Sequence, residues 1–169
     1  MDVLWAPWRR NYVVSTAAKN HSNCIFCKAV QDIHSNNYLV YKSKFTIVML
    51  NKYPYNNAHT MVAPIRHVPS LELLSDEELL DLMKTVNIVI SAIKLCYNPD
   101  GINVGANIGR AAGAGVEGHL HIHIVPRWIG DTNFMAVIAR TKVIPESLEE
   151  TCSRLTECIN KVSNSGLKE

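Results

Sequence analysis

The chain has 169 residues, 47% of them hydrophobic and 19% charged, with a formal net charge of +2, which suits a single globular domain with a sizeable core. Beyond the Arg9-Arg10 pair there is no basic run of the length that polyanions require, so no nucleic-acid partner is expected. No stretch of 18 apolar residues and no signal-peptide pattern is present, so no membrane partner is expected, and five irregularly spaced cysteines read as thiols of a reducing, cytoplasmic setting.

Residues 1–23 form an irregular arm in which Trp5, Pro7, Trp8 and Tyr12 stand among polar residues. Cys24-Ile25-Phe26-Cys27 follows. Residues 38–41 and 45–50 read as two short strands joined at Lys42-Ser43-Lys44. The three asparagines and Pro54 of residues 51–57 mark a loop, and 59–64 is a third strand. Ser75 and Glu78 have the spacing of a capping box. The apolar positions Leu79, Leu82, Met83, Val86, Val89, Ile90 and Ile93 then recur every three or four residues, which predicts a long helix with one apolar face. Asn98-Pro99-Asp100-Gly101 ends it.

Residues 102–107 read as a fourth strand, and a Gly/Ala-rich loop with Gly109, Gly113 and Gly115 leads to a fifth strand at 119–126. A last helix is predicted from Pro145, with Leu148, Cys152, Leu155, Ile159 and Val162 as its inner stripe. The expected fold is therefore α+β: a small antiparallel sheet of about five strands, one face covered by a long helix and a C-terminal helix. One domain spans 1–169, with the arm at 1–23, a core at 24–130 and a C-terminal extension and helix at 131–169. An open edge strand and the aromatic arm point to a homodimer. His21 and His34 lie in polar stretches and read as exposed. Cys96, Cys152 and Cys158 show no partner pattern.

The fifth strand carries the chemistry. His119, His121 and His123 alternate with Leu120, Ile122 and Ile124, the period of a β-strand, so the imidazoles share one face while the aliphatics enter a core. Histidine can be nucleophile, acid or metal ligand near neutral pH. Three same-face residues on one strand span about 13 Å, so they cannot all reach one ion at about 2 Å. Nucleophilic attack on phosphorus by the middle imidazole is the stronger reading. Glycines in the preceding loop would let backbone N–H groups approach anionic oxygens.

The sequence resembles the histidine triad family of nucleotide-binding hydrolases and transferases. His119 to Val125 fills that family's pattern of three histidines alternating with apolar residues. Further likeness lies in Trp5-Ala6-Pro7-Trp8-Arg9, Cys24-Ile25-Phe26-Cys27, Asn57-Ala58-His59, Pro64-Ile65-Arg66-His67, and the stretch from Pro126-Arg127-Trp128 to Phe134. The arm and that last stretch resemble the branch of diadenosine tetraphosphate phosphorylases and dinucleoside polyphosphate hydrolases. The resemblance implies a catalytic set of His121 as nucleophile, His123 against the phosphate, and His59 in support. It implies substrate contacts from Asn51 (ribose), Asn107 and His123 (phosphate), and the loop glycines Gly113 and Gly115. Met49, Leu50 and Phe26 are expected adenine walls, and Trp128 is a candidate substrate contact. It also implies that phosphorylases of this branch carry a Gly-Ser pair where Ala114-Gly115 stands here, which favours water over phosphate as acceptor.

Cys24 and Cys27 have the spacing of half a zinc site. The resemblance supplies His67 and His119 as the other two ligands, which implies a structural zinc and no organic cofactor. The expected function is thus cleavage of dinucleoside polyphosphates through a nucleotidyl-histidine. The alternatives are a hydrolase of adenosine 5′-phosphoramidates or a nucleotide-binding protein with little turnover.

Overall fold

The structure, a computed structural model, describes residues 24–32, 38–132, 135, 138, 139 and 141–164. The aromatic arm with Trp5 and Trp8, and also His21 and His34, lie outside the described residues. The elements are α1 (Ile25–Gln31), β1 (Leu39–Lys42), β2 (Thr46–Leu50), β3 (Thr60–Pro64), α2 (Asp76–Tyr97), β4 (Gly101–Ala106), β5 (Ile122–Arg127) and α3 (Leu148–Asn164). The five strands form one antiparallel sheet in the order β1-β2-β3-β5-β4, so β1 and β4 are its edges.

The predicted capping box opens α2: Ser75 Oγ accepts from the Glu78 amide and Glu78 accepts from the Ser75 amide, satisfying two N–H groups that the helix leaves unpaired. Asn98 closes it in the left-handed region at φ 41°. Leu82, Val86, Val89 and Ile93 form the buried stripe, whereas Met83, 100° around the helix from Leu82, faces solvent against expectation. A second box, missed in the sequence, starts α3. Ser147 Oγ accepts from the Glu150 amide and Glu150 accepts from the Ser147 amide, so the helix begins at Leu148 rather than Pro145.

Helices α2 and α3 pack on each other and on one sheet face, where Val48, Leu50, Val62, Leu120, Ile122, Ile124, Leu155 and Ile159 make the main core. The expectation of a single covered face is incomplete. Helix α1, which was not predicted, inserts Phe26 and Ala29 against Ile47, Met49, Met61 and Ala63 on the opposite face. That is why β2 and β3 are buried along their whole length instead of alternating.

Asp81 of α2 pins the β1–β2 turn. Its Oδ2 accepts from the hydroxyls of Ser43 (2.5 Å) and Thr46 (2.8 Å) and from the Phe45 amide (3.1 Å). Cys96 on α2 and Cys158 on α3, expected to be unpaired thiols, form a disulfide with Cα atoms 6.4 Å apart. Among the described residues, no helix is long and apolar enough to cross a membrane.

Candidate active site and metal centre

Strand β5 is shorter than its alternation. Pairing with β3 stops at Val62↔Ile122 and pairing with β4 at Ala106↔Ile122, so His119 and His121 lie beyond both ladders. The chain there is held by the Leu120 amide, which donates to the Val68 carbonyl at 2.6 Å. Side-chain alternation nevertheless persists: Leu120, Ile122 and Ile124 enter the main core, and His119 and His121 bury their rings against Phe26 at centroid distances of 4.9 and 5.0 Å. With His119 and His121 beyond the ladders and His123 still paired within them, the three imidazoles serve two separate clusters.

The first cluster can do acid–base and nucleophilic chemistry, and its hydrogen bonds set the tautomers. His121 Nδ1 lies 2.8 Å from the His119 carbonyl, which can only accept. Nδ1 therefore carries the proton, and Nε2 is the lone-pair nitrogen. His59 Nδ1 accepts from the Tyr55 amide at 3.0 Å, so the His59 proton sits on Nε2 and is donated to His123 Nδ1, also at 3.0 Å. That places the His123 proton on its own Nε2. The His121 and His123 rings meet edge-on with centroids 4.8 Å apart. Burial pushes the His121 pKa below its ordinary value and pushes that of His59 down to about 3, with the His123 and His121 rings adding to the latter. Both rings are therefore neutral at pH 7, each with one N–H and one lone-pair nitrogen.

The second cluster can hold a metal. Cys24 Sγ, Cys27 Sγ, His67 Nδ1 and His119 Nδ1 are each 3.2–3.7 Å from one or more of the others, and the four ligand atoms lie within 4.8 Å of one another. A tetrahedral ion with bonds of 2.0–2.3 Å separates its ligands by about 3.3–3.8 Å. His119 Nε2 donates to the Pro64 carbonyl at 2.8 Å, which turns the lone pair of Nδ1 toward the two sulfurs. Pro64 ends β3 and has no N–H for the ladder, and its carbonyl is spent on this ring. Burial holds His119 down at about 4, keeping it neutral, and burial beside Cys24 pushes the Cys27 thiol up to about 11. A pair of thiolates is stable in such a pocket only with a cation between them. Gly118 approaches His67 closely: a Cβ there would lie 3.2 Å from His67 Nε2.

A groove of about 450 Å³ opens beside His123 on the histidine face, lined among others by Tyr55, Asn103, Gly105, Asn107, Arg127 and Lys142. Of the residues expected to bind substrate, Asn51 lies at the end of β2, with Nδ2 3.5 Å from His59 Nε2. Asn107 lines the groove. Gly113 adopts φ +86° in the loop before the histidines, and Gly115 is half-buried there. Trp128 sits at the far end of β5, where its indole N–H donates to the Tyr97 carbonyl at 3.3 Å, outside the groove lining. Met49 and Phe26 are on the histidine face, but Leu50 is not. It points the other way, into the core beneath α2, because neighbouring strand residues face opposite sides. Tyr55, Asn103 and Lys142 were not singled out from the sequence. Nothing in their local pattern distinguishes them, and only the sheet register and chain path bring them to His123.

A family model described as HIT domain matches residues 33–128. A protein named AP-4-A phosphorylase from Mycobacterium tuberculosis is 40% identical over 154 residues, 88% of this chain and 79% of that one. A bis(5′-adenosyl)-triphosphatase from Saccharomyces cerevisiae is 39% identical over 89 residues, 52% of this chain and 43% of that one. Among solved structures, a hypothetical histidine triad nucleotide-binding protein from Sulfolobus tokodaii superposes with a TM-score of 0.70 at 30% identity, over 85% of this chain and 96% of that one.

Proposed function

The chain belongs to the histidine triad family, and from that premise we propose that it is an enzyme that cleaves dinucleoside polyphosphates, such as diadenosine tetraphosphate, through a nucleotidyl-histidine on His121. The observation that carries this reading is the hydrogen bond from His121 Nδ1–H to the His119 carbonyl, which leaves Nε2 as the nucleophile. The substrate class is supported by the named relatives.

His121 Nε2 forms a bond to the α-phosphorus as the bond to the bridging oxygen breaks, and the electron pair leaves with the departing nucleoside polyphosphate. The ring becomes cationic, and its Nδ1–H then makes a charge-assisted bond to the His119 carbonyl. The His123 Nε2–H, held outward by His59, donates to a phosphate oxygen where negative charge develops. Asn51, Asn107 and the amides around Gly113 and Gly115 are the remaining substrate contacts of this reading. A second acceptor breaks the phosphorus–nitrogen bond and restores neutral His121. Water yields AMP, and inorganic phosphate yields ADP. Ala114-Gly115 lacks a hydroxyl in the loop and supports water, while the relative named a phosphorylase supports phosphate.

Zinc is the ion proposed for Cys24, Cys27, His67 and His119, supported by the ligand spacing. With four protein ligands it would be structural, tying α1 to the base of the histidine segment. The assembly proposed is a homodimer, supported by the edge position of β4 and the exposure of its Val104. A cytoplasmic setting is supported by the free thiols Cys24, Cys27 and Cys152, with the Cys96–Cys158 bond the observation against it.

Product analysis with diadenosine tetraphosphate, with and without phosphate, tests the proposal. AMP plus ATP, or phosphate-dependent ADP plus ATP, is expected from the native chain and neither from His121→Ala. Cleavage that survives His121→Ala overturns the mechanism. Turnover only on adenosine phosphoramidate moves the substrate class.

A further inference from the structure

The groove beside His123 contains a charge that the reaction as described does not use. It runs along β4 and β5 on the histidine face. His123, Val125 and Arg127 line one side, and Gly105, Asn103 and Gly101 stand opposite them in register. From His123 to Arg127 that is about 13 Å of strand, enough for several linked phosphates. The floor beside His123 is bare backbone, because its partner is Gly105 and nothing lies within 4 Å of where a Cβ would be.

Two cations border the groove, but only one is available. Arg127 is held by Asp131 through Nε (2.6 Å) and Nη2 (3.0 Å), and its Nη1 donates to Asn103 Oδ1 (3.3 Å). Asp131 is in turn saturated by Arg127, the Asn56 amide and the Trp128 N–H. Lys142 arrives from the segment between β5 and α3; among the described residues it makes no salt bridge within 4.0 Å, and Asp131 and Arg127 act on its charge at longer range with opposite signs. The Arg127 bond also orients Asn103: its oxygen accepts, so its Nδ2 is left as a donor. An ammonium, an amide N–H and an imidazole N–H thus converge on a concave surface next to the nucleophile. That is a site for a chain of anionic oxygens.

We propose that Lys142, with Asn103 and His123, forms the subsite for the polyphosphate leaving group and makes Lys142 a specificity-determining residue for charged over neutral leaving groups. This rests on the reading of the site given above. As the phosphorus–oxygen bond breaks, the electron pair stays on the terminal phosphate of the departing nucleotide. The Lys142 ammonium meets that charge without transferring a proton.

Two measurements on the full chain test the proposal. The first is the ratio of kcat/KM on diadenosine tetraphosphate to kcat/KM on adenosine 5′-phosphoramidate, whose leaving group is ammonia. We expect this ratio to fall about tenfold in Lys142→Met and to be restored in Lys142→Arg. An unchanged ratio overturns the proposal. The second is calorimetric titration with inorganic tripolyphosphate, which needs no turnover. Its Kd is expected to rise about tenfold in Lys142→Met. Equal affinity in the native chain and Lys142→Met overturns the subsite. Weakened binding together with no cleavage of either nucleotide by the native chain overturns the enzymatic reading and leaves the anion subsite standing.

Discussion

His59 Nε2 lies 3.0 Å from His123 Nδ1, and the Tyr55 amide on the other side of the His59 ring decides which of the two nitrogens holds the proton. The relay is one-directional: backbone N–H to His59, His59 to His123, His123 outward. His59 is almost wholly buried, and its ring lies 4.5 Å from that of Tyr55 at an interplanar angle of 38°. Replacing His59 by phenylalanine removes the donor to His123 while filling the space. The His123 proton then has no imposed position, and kcat on diadenosine tetraphosphate is expected to fall by roughly 10–100-fold with little change in KM. A KM effect alone would show that His59 shapes binding and not the relay.

Stability should carry the same signature as a function of pH. The folded pKa of His59 is depressed to about 3 from an unfolded value near 6.5. Below pH 6.5 the unfolded chain therefore binds a proton that the folded chain refuses. The contribution of neutral His59 is fully present above pH 6.5 and is lost as the pH falls toward 3. Between pH 7.5 and pH 5 this amounts to about 2 kcal/mol. Urea unfolding of the native chain and His59→Phe at both pH values isolates it: the native chain is expected to lose about that much more than the variant on acidification. Parallel losses would mean that His59 is protonated in the folded state.

The Cys24–Cys27–His67–His119 cluster makes a prediction about composition. Elemental analysis of the purified chain is expected to find about one zinc per chain. Cys24→Ser is expected to lose it, with a Tm drop of roughly 10 °C, since a closed four-ligand site contributes several kcal/mol to folding. A metal-free native chain with the same Tm as Cys24→Ser would remove zinc from the account.

Asp81 concerns the fold alone. One carboxylate oxygen accepts from Ser43, Phe45 and Thr46, and Thr46 is fully buried. Asp81→Ala strands these donors at the β1–β2 turn and is expected to cost about 2–4 kcal/mol in chemical denaturation. Asp81→Asn keeps an acceptor and should cost less. Equal losses in the two variants would mean that packing, not hydrogen bonding, dominates the site.

The Cys96–Cys158 bond closes a loop of 62 residues between α2 and α3. Reduction is expected to destabilise the chain by roughly 4 kcal/mol through loop entropy in the unfolded state. Cys158→Ala should abolish the difference between reduced and oxidised samples. Full thiol titration of the chain purified without reductant would show that the pair is not bonded in solution.

Much of this molecule follows from local pattern. The alternation in 119–125 decides which side chains share a face. The Ser75–Glu78 box and the apolar stripe after it decide where α2 begins and what it buries, and the five strands are visible as short apolar runs between loop residues. These are properties of neighbours a few residues apart, set by backbone period and capping chemistry. Two seven-residue readings show the limit of that information. Helix α1 is too short for its periodicity to register, and His119–Val125 looks like one uniform strand.

Only the tertiary structure separates that run. β5 leaves β3 at Val62, two residues before β3 ends at Pro64, and β4 ends at Ala106, so the chain before Ile122 is released from pairing, and His119 turns to Cys24, Cys27 and His67 while His121 and His123 stay with His59. Lys142 reaches the same face, and Cys96 meets Cys158, by the path of the chain through space. Such contacts depend on where strands end and how layers stack, which residue order alone does not encode at short range.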